Sequence, residues 1–262
     1  MPWQVGLVTP GSEVPFCGGT LIGPRHVLTA AHCTGVNGGN WGVMVGEHRT
    51  SDSSDGTRHT KCRHVNHPLY RSINSIDHDF AIVHLDTPVQ FGPRAVPACL
   101  PTSASHGGGY LDDKTLTVSG WGSLCSGCSS PNVLHVVDVP GVSNAVCNQQ
   151  YEGRYGPGSI TSDMMCAGDA VNGGIDACQG DSGGNCFSYN TLAYFLAFQY
   201  VYLSVNNIFF FSGPLTYNDQ GRATLVGVVS WGHGCAVPNY AGVYSRVTEA
   251  LTWINEQLSQ TC

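Results

Sequence analysis

The sequence predicts an all-β protein with one terminal helix, and three observations carry that reading. Apolar residues come in short runs rich in β-branched side chains, such as "GGTLIG", "FAIVHL" and "ATLVGVVSWG". Gly 34 and Pro 14 punctuate them, and charged residues make up only 11% of the chain, which suits strands joined by turns rather than a helical bundle. One stretch near the end, "VTEALTWINEQL", instead places Val247, Leu251, Ile254 and Leu258 at helical spacing.

Taken in order, "WQVGLV", "GGTLIG", "HVLTAAHC", "WGVMVG" and "FAIVHL" predict strands of a first β unit over residues 1–95. "GPRAVPACLPTSASHGGGY", with three prolines and many small residues, reads as a connection, and the linker is set at 96–110. "TLTVSGWG", "VVDVPGV", "ATLVGVVSWG" and "AGVYSRV" predict the strands of a second unit over 111–246, and 247–262 form the terminal helix.

The 262 residues, 42% of them hydrophobic, are enough for one large or two small cores. A net charge of −7 with no run of Lys or Arg excludes a nucleic-acid binder. Twelve cysteines point to disulfides and an oxidising compartment. The single CxxC, Cys125 and Cys128, lacks the second half of a zinc site. "MPWQVGLV" has neither the basic nor the apolar region of a signal peptide, so none is expected in this chain.

Three chemically matched residues follow one another along the chain: His32 in "LTAAHC", Asp79 in "DHDFAIVHL" and Ser182 in "CQGDSGG". A serine hydroxyl becomes a competent nucleophile when an imidazole removes its proton, and the imidazole needs a carboxylate to fix its tautomer. Backbone N–H groups of Gly180 and Ser182 would meet the oxyanion, with Gly180 allowing close approach. The order His, Asp, Ser separates this arrangement from other serine-nucleophile folds. The chemistry calls for no cofactor and no metal.

With these motifs in place, the chain resembles the trypsin- and chymotrypsin-like serine proteases. "PWQVGL", "FCGGTLI", "LTAAHC", "HDFAIVHL", "VSGWG", "SSPNVL", "MMCAG", "DACQGDSGG" and "VVSWGHGC…AGVYSRV" fall in family order. The resemblance implies two six-stranded antiparallel β-barrels with the active site between them, followed by a C-terminal helix. It implies His32 as general base, Asp79 as its orienter and Ser182 as nucleophile. Asp79 rather than Asp77 is selected because the family's aspartate directly precedes the apolar strand. Asp176, six residues before Ser182, matches the carboxylate at the base of the primary pocket in the trypsin-like branch, which takes Lys or Arg. Gly232 and Gly242 match open pocket walls, and Ser230 and Trp231 match the strand that pairs with substrate backbone. The implied partners are proteins or peptides with Lys or Arg, together with protein protease inhibitors, and neither nucleic acid nor membrane. The implied location is extracellular.

The resemblance also implies disulfides Cys17–Cys33, Cys147–Cys166 and Cys178–Cys235, and leaves Cys62, Cys99, Cys125, Cys128, Cys186 and Cys262 unassigned. In some relatives the cysteine of "ACLP", here Cys99, holds a propeptide. Thr117 stands where the family often has the first cysteine of the "VSGWG" region. A calcium loop would fall at Glu47, Asp52 and Asp55, but the second family glutamate is missing and the loop reads as an ordinary acidic turn.

Two departures bear on activity. The family's mature chain begins upstream of "PWQVGL", and its amine pairs with the aspartate before the nucleophile, here Asp181. Met1 stands in that place, and a buried carboxylate without its partner costs several kcal/mol, so little activity is expected of a chain that starts here. Residues 185–213 form an aromatic, uncharged insert, and removing them rejoins "GDSGG" to "PLTYNDQGRATLVGVVSWG". Both junctions fall at glycines whose codons accommodate splice signals in frame, so the insert reads as a translated intron. A surface loop and a membrane span over 187–211 are the competing readings. At the level of function, the competitor is a catalytically silent homologue that binds partners.

Overall fold

The computed structural model describes residues 1–52, 54–70, 76–102, 106–123, 129–169, 213–234 and 237–262. Among them the chain forms thirteen strands, two α-helices and several short 3-10 turns.

The first half is a curled antiparallel sheet of β1 (Gln4–Val8), β2 (Cys17–Gly23), β3 (His26–Thr29), β4 (Gly42–Val45), β5 (Thr57–His59), β6 (Lys61–Asn66) and β7 (Ala81–Leu85). Its spatial order is β5-β4-β1-β2-β3-β7-β6. The two edge strands, β5 and β6, are separated in the chain only by Thr60, so the sheet bends round until its edges meet. Counted as one strand broken at Thr60, β5 and β6 make this sheet six-stranded. The composition hides both: their residues are exposed or half-buried and largely polar. They are strands because β4 and β7 supply partners, as in Val43↔His59 and Val65↔Ile82. β1, β2, β3 and β7, by contrast, are buried along their whole length, as their apolar runs predict.

The second half is a closed barrel in the order β10-β13-β12-β11-β8-β9. Its strands are β8 (Thr115–Gly120), β9 (His135–Val142), β10 (Met164–Ala167), β11 (Pro214–Asp219), β12 (Arg222–Trp231) and β13 (Gly242–Arg246). β11 begins directly after the aromatic segment and still takes its place, pairing Leu215 with Val118 and Pro214 with Val228. Gly213 admits that approach: a Cβ there would lie 2.7 Å from the Ser119 carbonyl oxygen.

Helix α1 (Asn144–Tyr155) follows β9, and α2 (Leu251–Leu258) ends the fold after a 3-10 turn at Val247–Ala250. The sequence predicts only the terminal helix. α1 escapes the pattern because just Cys147 and Tyr151 are buried along its twelve residues. It is set by its ends: the Ser143 hydroxyl accepts from the Val146 N–H at 3.3 Å as an N-cap.

Trp253 and Ile254 of α2 pack into the first-half core with Leu21, Val27, Phe80 and Ile82, joined by Leu225 and Val228 of β12. Each large side chain fully buried in this way contributes about 1.5–3 kcal/mol. A disulfide between Cys62 on β6 and Cys262 fastens the chain end to the same sheet. Neither cysteine has a partner assigned from the sequence, because 200 residues separate them.

Candidate active site

His32 sits in the 3-10 turn Ala31–Cys33 that follows β3. Several local contacts hold that turn. Cys33 is bonded to Cys17 on β2, the Thr29 hydroxyl donates to the Gly18 carbonyl at 2.8 Å, and the Trp41 indole donates to the Thr34 carbonyl at 3.2 Å. Asp79 lies two residues before β7, and β3 pairs with β7 through Thr29↔Ala81. That register alone brings the two side chains to the same end of neighbouring strands.

The contact between them is tight. Asp79 is fully buried, and its Oδ2 lies 2.7 Å from His32 Nδ1, whose side chain is 11% exposed. Asp79 Oδ1 accepts the backbone N–H of His32 at 2.9 Å. The Ser230 hydroxyl, on β12 of the other barrel, donates to Oδ2 at 2.6 Å, and the Ser245 hydroxyl reaches the Asp79 carbonyl at 3.4 Å. An ionised carboxylate can only accept, so Nδ1 must carry the proton, and Nε2 is then the basic nitrogen. A buried carboxylate is costly unless its lone pairs are filled; here three donors fill them. Tyr70 registers the same charge: burial, and then Asp79, pushes its phenol well above the ordinary range, so it stays protonated.

Asp77 takes a different place, accepting from the Thr161 hydroxyl at 2.8 Å. Ser182, Gly180, Asp181, Asp176, Cys178 and Cys235 lie outside the described residues, as do Cys125, Cys128 and Cys186. Cys147 is bonded to Cys166, and Cys99 is free and exposed.

Trp231 ends β12, and Gly242 opens β13. Among the described residues, a Cβ at Gly232 would meet nothing closer than the Tyr151 hydroxyl at 3.9 Å. Tyr151 was not singled out from the sequence, yet it organises this wall. Its hydroxyl donates to the Ala241 carbonyl at 2.7 Å and accepts the His233 N–H at 3.3 Å. Its ring meets Trp231 edge-on at 4.9 Å. The available signal is its position four residues after Cys147, which places both on one helix face.

Among the described residues, the metal-ligand types clustered with His32 are Cys17 and Cys33, and these are joined to each other. In the acidic turn, Asp55 receives Arg94 and the His48 and Arg49 N–H groups. Asp52 caps Ser54. Glu47 is buried, and that burial raises its carboxyl above the usual range, with Arg58 opposing and Asp52 adding to the rise.

Among the described residues no helix is long and apolar enough to cross a membrane. The sequence model of the Trypsin family matches residues 1–198 and 213–254. Trypsin 5G1 of Aedes aegypti is 35% identical over 257 residues, covering 98% of this chain and 80% of its own. Serine protease 1 of Rattus norvegicus is 33% identical over 261 residues, 99% of this chain and 85% of its own. The clotting factor G beta subunit of Tachypleus tridentatus is 33% identical over 267 residues, 97% of this chain and 75% of its own. A closed six-stranded barrel, a curled second sheet and a terminal helix accompany these matches, and the chain belongs to the trypsin family of serine endopeptidases.

Proposed function

We propose that the protein cleaves peptide bonds after Lys or Arg through an acyl-enzyme, with His32, Asp79 and Ser182 as its triad. The observation that carries this reading is the 2.7 Å contact between His32 Nδ1 and the buried Asp79, held from the second barrel by Ser230. His32 Nε2 takes the Ser182 proton as Oγ attacks the scissile carbonyl. The oxyanion is met by the N–H groups of Gly180 and Ser182. His32 then passes the proton to the departing amine, and water, activated by the same nitrogen, releases the acid.

Asp176 receives the Lys or Arg side chain at the pocket base, between walls opened by Gly232 and Gly242. Ser230 and Trp231 align the substrate backbone. Asp181 is the acceptor for a processed amino terminus. Cys178 and Cys235 close a disulfide behind the pocket. Three disulfides, Cys17–Cys33, Cys62–Cys262 and Cys147–Cys166, support an extracellular setting. Protein inhibitors of proteases are expected partners. The division into 1–95, 96–110, 111–246 and 247–262 follows the two β units.

The insert at 185–213 lowers activity because it interrupts the catalytic loop three residues after Ser182. The family match skips residues 199–212 within it, while β11 pairs normally straight after it. The test is a chain lacking 185–213 and carrying the family's processed amino terminus. It is expected to react with a serine-directed phosphonate at Ser182 and to prefer Lys or Arg substrates over Phe by about a hundredfold or more. Cleavage after Phe would overturn the specificity. A folded chain inert to the phosphonate would instead make it a silent binding homologue.

A further inference from the structure

Asp77 has no part in the proposed catalysis, yet it joins a second constellation on the seam between the two halves. One ligand atom each from Asp77, His78 and Asp163 lie within 4.8 Å of one another. His78 precedes Asp79 in the first half, and Asp163 immediately precedes β10 in the second. His78 Nε2 is 3.5 Å from Asp163 Oδ2, and His78 Nδ1 is 3.9 Å from Asp77 Oδ2.

Those separations exceed a good hydrogen bond. The two contacts use opposite ring nitrogens, so only one of them can be an edge of a single ion's shell. The Nε2–Asp163 separation of 3.5 Å is close to the roughly 3.4 Å between donors that share a tetrahedral ion at 2.0–2.1 Å, and one oxygen of Asp77 stays within the 4.8 Å cluster. All three side chains are 18% exposed, enough for an ion to enter from solvent and little enough for the donors to be held in place. The Thr161 hydroxyl fixes one Asp77 oxygen at 2.8 Å and leaves the other turned towards His78. The His67 ring stacks on His78 at 4.8 Å, with planes 17° apart, and restricts its rotation. Glu249 and Arg246 lie within electrostatic reach of Asp163 with opposite signs. The Arg246 guanidinium donates to the carbonyls of Ser162, Met164 and Gly108 and to Asn144 and not to the Asp163 carboxylate, and Glu249 opposes its charge, so the carboxylates of Asp77 and Asp163 are placed to balance a dication.

We propose that Asp77, His78 and Asp163 form a binding site for a divalent transition-metal ion of the zinc class. One ring nitrogen and two carboxylate oxygens bind the ion, and water completes its shell. An imidazole with carboxylates suits zinc, whereas calcium takes oxygen ligands only. Because its ligands come from both halves, the bound ion ties the segment carrying Asp79 to the barrel that carries Ser230. The site is independent of whether the chain hydrolyses peptides.

The test is titration of the full chain with Zn²⁺ by calorimetry, repeated with Co²⁺ to read its visible ligand-field bands. One equivalent is expected to bind, to raise the melting temperature and to resist a large excess of Ca²⁺. Asp163→Asn, which keeps the side-chain shape, is expected to weaken binding at least tenfold, and His78→Ala more. Thr161→Val is expected to weaken it by about tenfold through loss of the orienting hydrogen bond. His32→Ala is expected to leave the site intact, which separates it from zinc held on the His32–Asp79 pair. Absence of a stoichiometric site would overturn the proposal. Binding that survives His78→Ala and Asp163→Asn but vanishes in His32→Ala, or displacement by Ca²⁺, would do the same.

Discussion

The two halves of this molecule close their sheets by different means. The second half closes its sheet by strand pairing: six strands return on themselves, with β10 pairing both β13 and β9. The first half meets its own edge through the continuous chain at Thr60, and helix α2 and the Cys62–Cys262 disulfide then fasten the chain end to it. His32 and Asp79 both belong to this first half, yet two hydroxyls of the second half, Ser230 and Ser245, complete the surroundings of Asp79. The half that supplies the His32–Asp79 pair is therefore the one stapled from outside, and the half whose strands close on themselves orients that pair.

The strongest way to break this comparison is to disarm the pair while keeping its shape. In the chain lacking 185–213, Asp79→Asn is expected to lower kcat about 10⁴-fold at neutral pH. The melting temperature should move by only a few degrees; activity within tenfold of the parent would remove Asp79 from the catalytic scheme.

Next in size is the staple. Cys62→Ala with Cys262→Ala opens a closure spanning 200 residues, and chain entropy assigns that about 5 kcal/mol as an upper figure. Thermal unfolding should show a drop of about 10 °C or more, with kcat unchanged because neither cysteine approaches His32. A parallel loss of activity in folded protein would mean that the staple also positions the site.

A smaller effect separates the halves by pH. His84 on β7 is buried, and that burial, then Arg63 and His26, holds its pKa below the ordinary value. The unfolded chain therefore takes up a proton at His84, near pH 6.5, before the folded chain does. This contribution is fully present above pH 6.5 and is lost as pH falls below it. Denaturant unfolding at pH 7.5 and pH 5 is expected to show the decline. Burial also holds His59, His64 and His67 low, so His84→Leu is expected to reduce it in part, and an unchanged slope in that variant would assign the decline to those other groups.

The mildest change sharpens the comparison on the substrate side. Tyr151→Phe leaves the Ala241 carbonyl and the His233 N–H without their shared partner, at a cost of about 1–3 kcal/mol. The expected signature is a raised KM for peptide substrates with kcat nearly preserved, since Tyr151 supports the Trp231–His233 segment proposed to line the substrate cleft. A fall in kcat at constant KM would contradict that role.

Much was legible before any coordinates. β1, β2, β3 and β7 announce themselves because they are buried throughout, and a fully buried strand needs an uninterrupted apolar run. The choice of Asp79 over Asp77 rests on local order along the chain, and the structure sets Asp79 against His32 and Asp77 against Thr161. β5, β6 and α1 were not legible, since their apolar content is too small to show a period and their partners are supplied from elsewhere.

What the sequence determined by itself is therefore the strand-forming runs, the family motifs and the chemical types gathered around His32. A run of apolar residues states that one face must leave water, and a short motif states which groups stand beside each other. Neither states which distant element supplies the opposite face. Tertiary structure alone decided that Cys62 meets Cys262, that Ser230 donates to Asp79 from 151 residues away, and that Asp163 faces His78 across the seam. Those contacts exist only once two sheets have curled and packed, because closing long loops is repaid by the burial of both faces together and not by any local preference.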